Sequence, residues 1–293
     1  MANGSKNLKA IISVVFVIIA LISVFFVVRN KSNEPDPIVD GKMYVDFIDV
    51  GQGDCTLLRT SEAVILVDAG EMGEAENVID YLKEKGVTRI DCCIATHPHS
   101  DHIGSLAVVF NEFEVDTVIL PDIDEKNEPT TRTYESFILA LDNVKNIVPV
   151  LGSETFEFGA LKVDIFGPLK QYEDLNDMSV ISTVSYGSTS VMLTGDAEII
   201  TESDMLDVPG VDYSAQLLKV GHHGSRTSTS VEWLEAVDPD YAVISCGTGN
   251  DYGHPHKETL EKFDDYGIKY YRTDLSGDIT FESDGKNFNL IKK

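Results

Sequence analysis

Residues 95–104 read ATHPHSDHIG, and the rest of the chain is best read outward from them. His97, His99, Asp101 and His102 fall within six residues, directly after the apolar run RIDCCI and before a stretch of helical spacing. Side chains on an extended strand alternate with period two, so a strand end running into an extended turn points His97 and His99 to one side. Asp101 and His102 then open the helix and turn toward a second point nearby. Neutral imidazole and carboxylate are ligand types that suit zinc, manganese and iron. Three of the seven histidines lie in this one stretch, which an ordinary polar loop does not account for.

Three further patches have the same placement. Thr194-Gly195-Asp196 ends the strand-like run SVMLTGD, GHHGS at 221–225 ends LLKVGHHGS, and YGHPH at 252–256 follows YAVISCG. All seven histidines therefore sit just downstream of strands, as expected of a ligand cluster at one edge of the sheets. Asp54 in GQGD and Asp68 in VDAG are read as groups that orient the ligands, with ordinary turn aspartates as the alternative. Lys219, in an otherwise apolar run, is read either as reaching a substrate anion or as guarding an edge strand.

Composition bounds the partners. The 293 residues carry 23 basic and 49 acidic side chains, a formal charge of −26. Lys6, Lys9, Arg29 and Lys31 lie in the first 31 residues, which hold no acid; beyond them the charge is −30. So acidic a body repels phosphate polymers, and no broad electrostatic nucleic-acid binding is expected. Any phosphate must be held locally, by bound cations.

Residues 10–28 (AIISVVFVIIALISVFFVV) are uncharged, and at 1.5 Å per residue they make about 28 Å of helix, close to a bilayer core. The reading is an uncleaved transmembrane anchor; a cleaved signal peptide is the alternative, but no small-x-small site ends the run. The signal-anchor default puts the large C-terminal part outside the cytoplasm, at the cell membrane. Residues 1–9 form a short tail, 29–42 a linker, and 43–293 one domain. Cys55, Cys92, Cys93 and Cys246 lie in apolar runs without a CxxC pair and are read as small core residues.

Within 43–293, strand-type runs (KMYVDFIDV, CTLLRT, AVILVDA, RIDCCIAT, DTVILP) alternate with helical spacing at 74–85, 101–113 and 134–141. The second half repeats the style. FEFGALKVDIFGP and VISTVSYGSTSVMLTGD read as hairpins, the latter turning at Gly187, before helices at 198–206, 230–236 and 257–266. A closing hairpin, ITFESDGKNFNLI, completes a pattern of two sheets packed face to face with helices outside.

THPHSDH, followed about a hundred residues later by TGD, resembles the metallo-β-lactamase superfamily of metal-dependent hydrolases. FIDVGQGDCTLLRT, NDMSVISTVSYGSTSVMLTGDAE, LKVGHHGSRTSTS and YGHPH are further similar to the hydrolase domain of ComEC-type competence channel proteins. The similarity runs from Tyr44 to the end of the chain, without the channel's many spans. It implies an α/β (α+β) fold, an αβ/βα sandwich of two mixed β-sheets with outer helices, carried on one N-terminal transmembrane helix.

The resemblance also implies two divalent metal ions, zinc first, with manganese or iron as alternatives. His97 and His99 would hold one, Asp101 and His102 the other, and Asp196 would bridge them. Many members place a histidine about twenty residues before that aspartate; here the stretch reads Asn176-Asp177-Met178-Ser179. The expectation is that His222 fills the vacancy and His254 serves the second metal. Asp101, His223 and His256 then carry orienting and acid–base roles, with exchange within each histidine pair open. Cations about 3.5–4 Å apart would activate a water for hydrolysis. By resemblance the substrate is a small or polymeric phosphodiester. Hydrolysis of a lactone, β-lactam or ester is one alternative, and a non-catalytic accessory domain in DNA uptake is another.

Overall fold

In a computed structural model, residues 38–292 are described. The anchor expected at 10–28, the tail before it and most of the linker lie outside the described residues. Among the described residues no helix is long and apolar enough to cross a membrane.

The first half contributes β1 (Met43–Phe47), β2 (Thr56–Arg59), β3 (Val64–Val67), β4 (Arg89–Ile94), β5 (Glu114–Pro121) and β6 (Val144–Val150). The second half contributes β7 (Glu154–Phe158), β8 (Leu161–Ile165), β9 (Ser182–Tyr186), β10 (Thr189–Leu193), β11 (Leu217–Lys219), β12 (Tyr241–Ile244) and β13 (Lys269–Arg272). The closing hairpin is β14 (Ile279–Ser283) and β15 (Phe288–Lys292). Eight strands form one sheet in the order β15-β14-β1-β2-β3-β4-β5-β6, and seven form the other in the order β13-β12-β11-β10-β9-β8-β7.

Each sheet is an antiparallel meander that becomes parallel. In the first, β3 to β6 run parallel after the β1-β2-β3 meander; in the second, β10 to β13 run parallel after β7-β8-β9-β10. Parallel strands need crossovers, and helices supply most of them: α1 (Ala75–Glu84), α2 (Ser100–Ile103), α3 (Leu106–Glu112), α4 (Arg132–Ala140), α5 (Ile199–Leu206), α6 (Val231–Val237) and α7 (Lys257–Tyr266).

The alternation of side chains explains why the strands read as unbroken apolar runs. Leu58, Ile65, Val67, Cys92 and Ile94 point into the core between the sheets, where Val163, Val184, Val191, Leu217, Val243 and Phe281 meet them. Their neighbours Leu57, Leu66 and Cys93 point the other way and pack with Val78, Leu82, Leu106 and Phe110 beneath the helices. On the far side Met192, Leu218 and Ala242 do the same with Trp233 and Phe263. All four cysteines are buried and unpaired, as expected of core residues.

Three details depart from the sequence reading. The helix expected over 101–113 is two helices, α2 and α3, separated by Gly104 and Ser105; Gly104 also packs so closely that a Cβ there would stand 2.4 Å from Met72 N. Residues 144–150, assigned no element from sequence, form the edge strand β6, whose polar and proline content suits an edge. Lys219 is not on an edge: β11 lies between β10 and β12, and the lysine is buried.

Candidate metal centre

The C-terminal ends of β3, β4, β10, β11 and β12 open onto one edge of the sandwich, and the polar residues gather there. Asp68 follows β3 in a left-handed backbone conformation, φ 56°. Its Oδ1 accepts the Thr96 N–H at 2.8 Å, and its Oδ2 accepts the Thr96 hydroxyl at 2.6 Å. The same Oδ2 lies 2.7 Å from His102 Nδ1. Asp68 therefore binds the start of the ATHPHSDH loop and turns the His102 ring so that Nε2 faces inward.

Asp196 reaches the site because Gly195 brings the end of β10 close to the end of β4. Gly195 has φ 51°, and a Cβ there would stand 2.9 Å from both Ser179 Oγ and Thr96. Four imidazoles surround the Asp196 carboxylate. His102 Nε2 is 3.3 Å from Oδ1, while His223, His222 and His97 present Nε2 to Oδ2 at 3.4, 3.8 and 3.9 Å. His99 joins His97, with Nδ1 and Nε2 facing each other at 3.0 Å.

GHHG owes its reach to its backbone. His222 and His223 both adopt left-handed conformations, φ 48° and 53°, which send adjacent side chains to different sides of Asp196. His223 is buried, with Nε2 3.2 Å from Asp101 Oδ2 and Nδ1 3.0 Å from the Ser245 carbonyl. Asp54 Oδ1 lies 3.2 Å from that Nδ1, and Asp54 Oδ2 is paired with the buried Lys219 at 2.7 Å. Lys219 thus faces Asp54, not the cavity, and also donates to the Val220 carbonyl. His222 is more exposed and lies beside Glu198, Nδ1 to Oε1 3.2 Å.

Asp101, His102, Asp196 and His223 form one group whose donor atoms all lie within 4.8 Å of one another; Asp54, Asp68 and His102 form a second. The second shares His102 through its outer nitrogen, and its Asp68 already holds Thr96. In the first, His102 Nε2 and Asp196 Oδ1 are buried without a hydrogen-bond partner. An unsatisfied buried polar atom costs about 1–3 kcal/mol, and a cation that accepts both lone pairs removes that cost. The residues present fit a divalent metal centre.

His223 thus joins Asp101, His102 and Asp196, where the sequence reading expected His254. His254 lines the cavity beside them, its ring 5.4 Å from His222 and 6.3 Å from His223, with Nδ1 unpartnered. His256 sits behind it, accepting the Arg226 N–H on Nδ1 at 3.0 Å. Asn176 lines the cavity with an unpartnered Oδ1, whereas Asp177 is committed to the start of α5 through Glu198 N and Thr201 Oγ1. Sequence reasoning missed Thr96, the Ser245 carbonyl and Gln52, whose Oε1 accepts Gly247 N–H and ties GQGD to the loop after β12. Of these, Thr96 lies inside the histidine motif and Gln52 inside GQGD, whereas nothing in the sequence marked the Ser245 carbonyl.

Electrostatics follow from burial opposed by charge. Burial pulls His102 and His223 toward the neutral form. The carboxylates of Asp196 and Asp68 for His102, and of Asp196 and Asp54 for His223, outweigh it and hold both imidazoles well above their ordinary value. Burial and the neighbouring His102 hold His97 well below it. Burial works against the Asp196 carboxylate, yet His223 and His102 keep it well below the usual range. Burial first, then the neighbouring His222, pulls His254 down to about 4.

A two-sheet sandwich with this His/Asp centre at the C-terminal ends of its strands defines a metal-dependent hydrolase. Residues 48–248 match the Metallo-beta-lactamase superfamily, and the chain belongs to that superfamily. It is 30% identical over 268 residues to ComE operon protein 3 of Bacillus subtilis (strain 168), covering 84% of this chain and 34% of that protein. It is 28% identical over 252 residues to Competence protein ComA of Neisseria gonorrhoeae, covering 85% and 34%. The chain spans about a third of the length of these curated relatives. CmlA, a diiron beta-hydroxylase from Streptomyces venezuelae, shares the fold at TM-score 0.57 and 18% identity, covering 89% of this chain and 55% of that one.

Metal loading at pH 7 should release protons, up to about two per chain, because His102 and His223 must give theirs up. Titration calorimetry in buffers of different ionisation enthalpy checks this; identical heats in every buffer would contradict it. The sign for the metal-free protein follows. Histidines with raised values stabilise fully below about pH 6.5 and lose that contribution as pH rises through their folded values. Metal-free stability should therefore fall from neutral to alkaline pH, while metal affinity climbs.

Proposed function

We propose that the protein is a membrane-tethered two-metal phosphodiesterase. The observation that carries this reading is the ring of four imidazoles around the Asp196 carboxylate, with Asp101 alongside and two buried donor atoms left unsatisfied. The similarity to a relative named as a competence protein supports a phosphodiester as the substrate, and the acidic surface argues against a broad ionic grip on it.

In this reading His97, His99, His222 and Asp196 would hold one divalent ion, and Asp101, His102, His223 and Asp196 would hold the other. Such a pair lowers the pKa of water to roughly 7 and stabilises charge developing on phosphoryl oxygens. Asp68 and Asp54 fix the His102 and His223 rings by their outer nitrogens, and Lys219 holds Asp54 in place. Asp101, which lines the cavity, would orient the attacking water. His254 lines the cavity with Nδ1 unpartnered and would hydrogen-bond an oxygen of the bound phosphate. Residues 10–28 anchor the chain, and the hydrolase domain faces away from the cytoplasm.

The manganese- or zinc-loaded protein should hydrolyse bis-p-nitrophenyl phosphate and leave nitrocefin and simple lactones intact; the reverse preference would overturn the substrate class. His223→Ala should lower bound metal from about two equivalents to about one, whereas His254→Ala should keep both and slow turnover. Asp54→Asn should weaken metal binding about 10- to 100-fold. Full metal occupancy in His223→Ala would move that ligand role to His254.

Cleavage of an oligonucleotide should fall less than about tenfold between 50 and 200 mM salt, where a cationic grip on several phosphates loses about 10³–10⁵ in affinity. Protease added to intact cells should degrade the hydrolase domain; protection would reverse the orientation.

A further inference from the structure

Beside the metal-ligating residues lies a cavity of about 680 Å³, within the range of small-ligand sites. Asp101, Asp196, His222 and His223 line it together with Tyr252 and His254. Among the described residues that line it there is no lysine or arginine. Affinity for a substrate beyond the reacting phosphate must therefore come from something other than ion pairing.

Tyr252 has the properties of such a contact. It is 68% exposed, so its ring is open to solvent at the cavity's edge. Its ring stacks on His254 at 5.7 Å between centroids and 23° between planes. The loop that carries it is pinned at its base by Asn250. The Asn250 amide donates to the Gly247 carbonyl at 2.9 Å and the His254 carbonyl at 2.6 Å, and its Oδ1 accepts the His254 N–H at 2.9 Å. An exposed ring on a braced loop is preorganised, so little ordering entropy is lost when a second flat group stacks on it.

We infer that Tyr252 is a stacking platform that selects substrates carrying a planar ring next to the scissile phosphate, that is, a nucleobase. This rests on the phosphodiester reading above and adds a specificity-determining residue to it. Stacking on an aromatic side chain tolerates any base, since every base has a π-face, so the platform confers preference for nucleotides without preference for sequence. Because the contact is not ionic, the preference survives salt.

The test compares two oligomers with the same phosphates, an oligothymidylate and its abasic tetrahydrofuran counterpart, cleaved by the manganese-loaded protein. The oligothymidylate should be preferred by roughly tenfold in kcat/KM, mostly through KM. Tyr252→Ala should erase the preference, and Tyr252→Phe and Tyr252→Trp should keep it, because the ring and not the hydroxyl is required. Equal cleavage of both oligomers, or a preference unchanged in Tyr252→Ala, would overturn the platform while leaving the phosphodiesterase reading standing. Cleavage of neither, with the metal centre loaded, would overturn that reading and the platform with it.

Discussion

The structure turns on acidic side chains buried together at one edge of the two sheets. Asp54, Asp68 and Asp196 are each no more than 4% exposed, and Asp101 is only partly open. Burying a charge costs several kcal/mol unless it is matched. Lys219 pairs with Asp54, and the Thr96 and His102 donors match Asp68, but Asp196 is surrounded by imidazoles, the nearest at 3.3 Å. The fold supplies a cage of acceptors whose balance requires cations, and the rest of the edge is arranged to hold that cage in shape.

Each loop at the edge is fixed by a contact with a loop from another strand. Asp54 N–H bonds the Asp101 carbonyl, and Gly53 packs so closely that a Cβ would stand 2.5 Å from that oxygen. Gln52 holds Gly247, Thr96 holds Asp68, and Ser179 Oγ accepts the Asp196 N–H. Farther out, Glu202 accepts the N–H groups of Thr229 and Ser230, and Lys262 donates to the carbonyls of Ser228 and Thr229. That brace steadies the segment after GHHG, where two successive left-handed residues would otherwise relax. Precision at the metal-binding residues is distributed over both sheets, so the two halves of the sandwich are also two halves of the site.

Much of this was legible in the sequence, for reasons that can be named. Strands buried on both faces read as continuous apolar runs, so both meanders and most parallel strands were visible, and histidines placed only after strand ends marked the edge. Adjacency limited the rest. His222 and His223 differ by one residue, and which one faces Asp101 depends on backbone angles that neither residue type prescribes. Lys219 looked like an edge guard or an anion contact because sheet order is not written in a single strand; between β10 and β12 it can only pair inward. The close approach of Gly104 to Met72, thirty-two residues earlier, is a tertiary contact that helical periodicity does not register. Tyr252 is a lone tyrosine by sequence and becomes informative only once Asn250 is seen bracing its loop.

The central claim is that buried acids and imidazoles at this edge are balanced by divalent cations. Thermal unfolding of the same protein, first stripped by a chelator and then titrated with zinc or manganese, tests it most directly. A ligand at a hundred times its dissociation constant stabilises the folded state by about 2.7 kcal/mol per site. Stripping should therefore lower Tm by several degrees, and returning metal should restore it, with saturation near two equivalents per chain. A Tm indifferent to both chelator and metal would contradict the claim.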